Sequence, residues 1–103
     1  MVKLIENESE IPTQGKVVID FFATWCGPCK MIAPFFEDIS AKYPSITFLK
    51  VDVDESPELV DKYNISVMPT FLYLINNTVV HIMEGASQNA IVNVLDALVK
   101  SPS

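Results

Sequence analysis

The chain has 103 residues, of which 50% are hydrophobic, and its formal net charge at pH 7 is −6. This hydrophobic share is too high for a disordered chain, and the length predicts a single domain over residues 1–103 with its own core. The acidic balance and the absence of arginine argue against nucleic acid as a partner, because arginine makes the usual bidentate contacts to phosphate and guanine. No apolar run is long enough to span a bilayer and the N-terminus lacks a signal-peptide core, so we expect a cytoplasmic protein with no membrane partner.

Strands and helices alternate in the first half of the chain. A first strand and a short helix or loop precede the apolar run Val17–Ala23, which predicts a buried strand. A helix is predicted to begin at the following cysteines and to end before Pro44, with a kink at Pro34, where a backbone donor is missing. The apolar residues at helical spacing are Ile32, Phe35, Phe36, Ile39 and Tyr43.

The second half begins with a predicted buried strand over Ile46–Val53. Ser56 is a good N-cap for a short helix over Pro57–Tyr63, because proline suits the first helical position. The β-rich runs Thr70–Ile75 and Thr78–Met83 are separated by two asparagines, a pattern typical of a tight hairpin.

A last helix is predicted after Ser87, which can cap it. Its apolar stripe consists of Ile91, Val94, Leu95, Leu98 and Val99. Strands that alternate with helices indicate parallel pairing, and the hairpin adds antiparallel strands. We therefore predict an α/β fold with a central mixed sheet and helices on both faces.

The cysteines, Cys26 and Cys29, stand two residues apart, close enough to form and break a disulfide without moving the rest of the fold. At a helix start, free backbone N–H groups and the helix dipole favour the thiolate, the species that attacks disulfides. We expect Cys26 to be exposed and Cys29, one turn further on, to be shielded. The alternatives are an inert buried pair and a zinc site. Zinc needs two further ligands and the chain offers only His81, so no metal site is expected.

Asp20 is a carboxylate inside an apolar strand. Strand alternation places residues 18, 20 and 22 on one face, so Asp20 points into the core with Val18 and Phe22. A carboxylate stripped of water is costly unless it is paired or protonated. This position predicts either a functional group or a member of a structural ion pair.

Several stretches, in chain order, resemble the thioredoxin family. They are Phe21–Pro34, Lys50–Asp54, Val67–Thr70 and Gly85–Ala86. The resemblance covers nearly the whole chain and implies the thioredoxin fold. Phe22 departs from the family where many members have a second tryptophan, and Asn76–Asn77 lacks the glycine common in that turn.

The resemblance implies a role for each group of the reaction. Cys26 is expected to be the nucleophile, and Cys29 the resolving thiol that attacks the mixed disulfide. Asp20 is expected beneath Cys29, where it takes and returns that thiol's proton, with Lys50 as a neighbour that lowers the cost of its charge. A structural ion pair of Asp20 and Lys50 is the alternative.

The resemblance also implies the surroundings of the thiols. Gly27 and Pro28 are expected to keep bulk from the space between the sulfurs, and proline rather than histidine at position 28 implies a reductant. Trp25 is expected to shield the site, the alternative being a core tryptophan, and the Met68–Pro69 bond is expected to be cis and to face the disulfide. The residues expected to form a shallow apolar groove for substrate are Trp25, Pro28, Val67, Met68, Pro69, Gly85 and Ala86.

The resemblance implies a general protein-disulfide reductase that maintains cell redox homeostasis, and we expect it to act as a monomer without a bound cofactor. Thioredoxin reductase would recharge it with electrons from NADPH. The target proteins that the family implies are peroxiredoxins, ribonucleotide reductase and methionine sulfoxide reductases. The rival interpretations are an oxidase or isomerase on the same fold and a redox-independent subunit of a larger assembly.

Overall fold

A computed structural model describes residues 1–102 of the protein. Ser103, which closes the predicted domain, lies outside the described residues. The strands are β1 (Val2–Leu4), β2 (Lys16–Phe22), β3 (Ile46–Asp52), β4 (Thr70–Ile75) and β5 (Thr78–Glu84). The helices are α1 (Gly27–Ser40), α2 (Pro57–Tyr63) and α3 (Gln88–Lys100), and a short 3₁₀ turn covers Glu8–Glu10. The predicted order of elements is confirmed.

The five strands form one mixed sheet in the order β1-β3-β2-β4-β5. β3 pairs in parallel with both β1 and β2, whereas β4 pairs antiparallel with β2 and with β5. β2 therefore lies in the middle of the sheet and β5 at one edge. The predicted mixed sheet is confirmed, and its central strand leads directly into the cysteine pair.

Helices cover both faces of the sheet, as predicted. On one face, α1 and α3 pack on the sheet through the cluster centred on Phe36, Phe71 and Tyr73. On the other face, α2 packs through Leu59 against buried side chains such as Leu72 of β4. Alternate residues of each central strand thus enter one of two apolar layers, as the period of two in a strand requires. We call these faces the α1 face and the α2 face.

Local details differ from the sequence predictions at two helices. α1 continues through Pro34 and ends at Ser40 rather than near Tyr43, and the kink predicted at Pro34 stays a prediction. Ser56 occupies the N-cap position of α2, but its hydroxyl is buried and makes no hydrogen bond within residues 1–102. The side-chain cap predicted at Ser56 is therefore wrong, whereas Ser87 does cap α3 by accepting from the Ala90 N–H.

The β4–β5 hairpin turns through Asn76 and Asn77, both of which have positive φ values, 50° and 67°. Asparagine tolerates this conformation better than most residues, so the turn forms without the glycine that the family commonly has there. A register shift near Leu74 makes Val80 an extra residue in β5, a β-bulge. Within residues 1–102, no helix has both the length and the apolar character that crossing a membrane requires.

Candidate active site

The cysteine pair lies where β2 gives way to α1. Cys26 is the N-cap residue of α1, and its sulfur forms a disulfide with Cys29 in the first turn, with a Cα–Cα distance of 5.3 Å. The Cys29 N–H donates to the Cys26 Sγ at 3.2 Å. The sulfur thus occupies the position where an unpaired helix N–H and the helix dipole stabilise negative charge.

Both cysteines lie beneath the surface. Cys26 is 6% exposed and Cys29 is 3% exposed, and both pack with Ala23, Phe22 and Met68. The expectation of an exposed Cys26 is therefore wrong for the disulfide form. The reason is geometric, since the N-cap position turns the sulfur towards the helix and the neighbouring loop rather than into solvent.

The loop before β4 faces the disulfide. The Met68–Pro69 peptide bond is cis, as the resemblance implied, and the Met68 carbonyl oxygen lies 3.6 Å from the Cys26 Sγ. The loop is held from both sides. Thr70 Oγ1 donates to the Val67 carbonyl at 2.6 Å, and the Gly85 N–H donates to the Pro69 carbonyl at 2.9 Å. A backbone acceptor is thereby fixed next to the reactive sulfur.

The residues predicted to line a substrate groove surround this point. Trp25 is 66% exposed, which excludes the alternative of a core tryptophan. The other groove residues that are exposed are Pro28, Val67, Gly85 and Ala86, whereas Met68 is half-buried and Pro69 is buried. The structure brings all of them to the same end of the sheet, the end at which β2 finishes and β4 begins.

Asp54 is a residue of this site that the sequence argument missed. The Trp25 indole N–H donates to the Asp54 Oδ2 at 3.0 Å, and the Asp54 N–H donates to the Asp52 Oδ1 at 3.0 Å. These bonds hold the exposed indole beside the disulfide. The acidic loop after β3 was a signal for such a contact, but the partner lies 29 residues away in sequence, so spacing could not reveal it.

Asp20 is buried in β2 on the α1 face, with Val18 of the same face in the core. Burial raises the pKa of Asp20 to about 7, and the positive charge of Lys50 opposes that rise. Its Oδ1 has no hydrogen-bond partner within residues 1–102. A carboxyl of this kind can exchange a proton near neutral pH.

Lys50 is the register partner of Asp20 on β3. Among residues 1–102, no ion pair within 4.0 Å joins the two, and the Lys50 Nζ lies 6.0 Å from the centre of the Phe22 ring. Both line a cavity of about 280 Å³ that also reaches Cys29 and Ala33. The cavity connects the buried carboxyl with the second thiol and has room for solvent.

Gly27 and Pro28 form the first turn of α1. Proline fits there because its missing N–H would be unpaired in any case. At Gly27, an added Cβ would meet no atom of the described chain within 4 Å, its immediate neighbours aside. Because Cys26 is one of those neighbours, this open space does not bear on the sulfurs, and the expectation that Gly27 keeps bulk from them stays a prediction.

A disulfide at a helix N-terminus, facing a cis-proline loop on a mixed α/β sheet, defines a class of dithiol–disulfide oxidoreductases. Comparison with known proteins gives the family. The family model described as Thioredoxin matches residues 3–97. The chain therefore belongs to the thioredoxin family, whose members are protein-disulfide oxidoreductases, and its Cys26–Cys29 pair is at the distance that dithiol–disulfide exchange requires.

Individual relatives agree with this family. Thioredoxin 1 of Plasmodium falciparum is 43% identical over 100 residues, with 93% of this chain and 96% of that protein covered. A solved structure of Plasmodium falciparum thioredoxin has a TM-score of 0.87 at 40% identity, covering 92% of this chain and 97% of that one. The peptide-N(4)-(N-acetyl-beta-glucosaminyl)asparagine amidase of Caenorhabditis elegans is 55% identical over 75 residues. That match covers 73% of this chain but only 12% of the amidase.

Proposed function

We propose that this protein is a general reductant of protein disulfides that maintains redox balance in the cytoplasm. The observation that carries the proposal is the Cys26 sulfur at the N-cap of α1, with the Cys29 N–H at 3.2 Å and the Met68 carbonyl at 3.6 Å. The first contact supports a thiolate on Cys26, and the second leaves a backbone acceptor for a bound target segment. An extended target can pair with that backbone as an added strand.

In the first step, the Cys26 thiolate attacks one sulfur of a target disulfide. A Cys26–target disulfide forms, the target disulfide breaks, and the second target sulfur leaves as a thiolate that takes a proton from solvent. Trp25 and Pro28 flank Cys26 in sequence, and both are exposed, so they offer apolar surface to the target. The helix N-terminus favours this order of events, because it stabilises charge on Cys26 before Cys29 reacts.

In the second step, the Cys29 thiol loses its proton to Asp20 and attacks the Cys26 sulfur. The Cys26–Cys29 disulfide forms, the mixed disulfide breaks, and the target sulfur leaves as a thiolate that takes a proton from solvent. Two electrons have then moved from the protein to the target. The shared cavity and the pKa of Asp20 near 7 support a proton route between Asp20 and Cys29, with Lys50 moderating the charge of the carboxylate.

The reduced form is regenerated by thioredoxin reductase with electrons from NADPH in this proposal. The two sulfurs carry the electrons, so no cofactor needs to remain bound. The target classes that the family suggests are peroxiredoxins, ribonucleotide reductase and methionine sulfoxide reductases. A monomer suffices, because all the groups named in the two steps come from one chain.

A coupled assay tests the proposal. The protein is mixed with a thioredoxin reductase, NADPH and insulin, and NADPH consumption is followed by absorbance. We expect consumption that depends on this protein and that is absent from the Cys26→Ser variant. A reduction potential far more oxidising than about −270 mV, together with no insulin reduction, would instead identify an oxidase or isomerase.

A second candidate is a redox-independent module of a larger assembly. The observation that favours it is the match to the Caenorhabditis elegans amidase, of which the aligned region is only 12%. A cell that carries a Cys26→Ser/Cys29→Ser double variant distinguishes the two. If the cell loses the activity that depends on this protein, the reductase is supported. If that activity is retained without the two thiols, the protein acts as a redox-independent module.

A further inference from the structure

Exposed apolar side chains follow β5 away from the disulfide. Ile82 is 51% exposed and Val79 is 38% exposed. In the β4–β5 register, Ile82 lies opposite Leu72 and Val79 lies opposite Leu74. Because both leucines belong to the core of the α2 face, Ile82 and Val79 also lie on that face. We call these two residues the β5 strip.

The β5 strip lies next to the substrate groove, with Glu84 between the two on the same side of β5. β5 ends at Glu84, and the next residue, Gly85, lines the groove. Ile82 is about 7 Å along the strand from Glu84, and Val79 is about 14 Å from it, because the bulge makes five residues of β5 span four positions of β4. A polypeptide that leaves the groove at Gly85 can therefore continue over the strip.

The strip favours an apolar occupant. Between Thr78 and Met83 the only titratable side chain is His81. His81 lies opposite Tyr73, with the two rings 5.7 Å apart, and Tyr73 belongs to the α1 face. On the α2 side of β5, the strip itself is apolar, and the exposed Glu84, which lies opposite Thr70 on the same side, adds one charge at the groove end.

We propose that the β5 strip is a second contact surface for disulfide-bearing target proteins, binding apolar residues that flank the attacked cysteine. The inference rests on the proposed function and adds a selectivity element outside the groove. Large targets reach both the groove and the strip, whereas a small disulfide occupies the groove alone. The strip should therefore favour protein disulfides over small ones.

A second copy of the chain is a poorer occupant. The bulge at Val80 interrupts the edge of the sheet, and bulges at edges hinder continuous strand pairing between molecules. Two side chains also offer far less than the roughly 1,200 Å² that stable interfaces bury. Such a surface extends an existing contact better than it creates one.

The test compares two substrates. In the Val79→Thr/Ile82→Thr variant, threonine keeps the branched shape that suits a strand and removes apolar contact. We measure kcat/KM for insulin and for 5,5′-dithiobis(2-nitrobenzoate), and the ratio of the two is the selectivity. We expect the variant to lower that ratio about threefold to tenfold, because two partly buried apolar contacts are lost only with the protein substrate.

Val99→Thr is the matched control. Val99 is 43% exposed on α3, and the substitution makes the same chemical change as Val79→Thr. We expect its selectivity ratio to equal that of the unchanged protein. An unchanged ratio in the β5 variant, or an equal fall in the Val99 variant, would overturn the proposal.

A second measurement does not depend on the strip variants. The Cys29→Ser protein is trapped as a mixed disulfide with insulin, and the methyl NMR signals of Val79, Ile82 and Val99 are compared before and after trapping. Shifts confined to Val79 and Ile82 support the strip, and unshifted signals at both overturn it. Sedimentation shows whether the unchanged protein forms a dimer. If it does, and the Val79→Thr/Ile82→Thr variant is a monomer, the strip binds a second copy of the chain and the proposal is overturned. A protein that reduces the small disulfide but not insulin would instead refute the proposed function.

Discussion

Cys26 and Cys29 are distinguished by position more than by exposure. Cys26 receives the Cys29 N–H and faces the Met68 carbonyl, whereas Cys29 lines the cavity that it shares with Asp20. The first sulfur is thus placed for attack on a target, and the second is placed beside a proton acceptor. The exposed fractions of the two cysteines differ by only a few per cent. Electrostatics rather than accessibility should therefore set the order in which they react.

The two single serine variants should therefore behave differently. Cys26→Ser is expected to lose attack on targets, whereas Cys29→Ser should attack and then stall as a stable mixed disulfide, because only the second thiol can release the target. Mass spectrometry of each variant after mixing with insulin measures the trapped complex. Equal trapping by both variants would show that the roles are not divided in this way.

At the scale of elements, α1 carries the disulfide within its own N-terminal turn. The bond between the N-cap and the third helical residue closes a loop of four residues. None of the five strands contains a cysteine. Oxidation consequently restrains the start of one helix and leaves the strand pairing untouched. The cis-proline loop is fixed independently by Thr70 and Gly85, so the groove does not rely on the disulfide for its shape.

Oxidation is expected to stabilise the domain. Closing a loop of four residues removes chain entropy from the unfolded state worth about 2 kcal/mol. Denaturant midpoints with and without reductant measure the difference, and the Cys26→Ser/Cys29→Ser double variant, which should not respond to reductant, is the control. A reduced form that is more stable than the oxidised form would contradict this expectation.

At the level of the whole molecule, the core of the described residues holds one acidic side chain, on the α1 face of the sheet. Asp20 is on the central strand, and burial raises its pKa to about 7 from the ordinary value of 3.8. The folded state then holds this proton more tightly than the unfolded state. Its contribution to stability is complete below about pH 4 and is lost as pH rises towards 7, by about 4 kcal/mol in total.

Asp20→Asn should remove this pH dependence while slowing turnover. At pH 8 we expect the variant to be as stable as the unchanged protein or more stable, because no buried charge remains. Turnover with insulin should fall at pH 7, since Cys29 loses its proton acceptor, and the loss should shrink at alkaline pH, where the thiol ionises unaided. The measurements are denaturation and insulin reduction from pH 4 to 9.

The exposed Asp38→Asn variant controls for the loss of one negative charge. A marked loss of stability in Asp20→Asn, or an unchanged rate at pH 7, would identify Asp20 as a member of a structural ion pair. The absence of a Lys50 ion pair within 4.0 Å among the described residues makes that outcome unexpected.

Features that depend on local spacing could be predicted from the amino-acid sequence. The helix start at Cys26, the Ser87 cap and the hairpin through Asn76 follow from short-range hydrogen bonding and turn chemistry, and all three are present. Strand alternation likewise placed Asp20 in the core. Two local predictions were wrong, the side-chain cap at Ser56 and the exposure of Cys26. Residue spacing did not show that the Ser56 hydroxyl would be buried without a hydrogen-bond partner or that Cys26 would be covered.

Contacts between distant segments do not follow from local spacing. The Met68 carbonyl lies 42 residues from Cys26 in sequence, and only the family resemblance implied that the two meet. The contact between Asp54 and the Trp25 indole, 29 residues apart, became visible only in the folded chain. The exposure of Ile82 depends on β5 being at an edge, which follows from the strand order. Strand order is set by crossovers and by burial of both faces of the sheet, and these are properties of the assembled chain that no local spacing encodes.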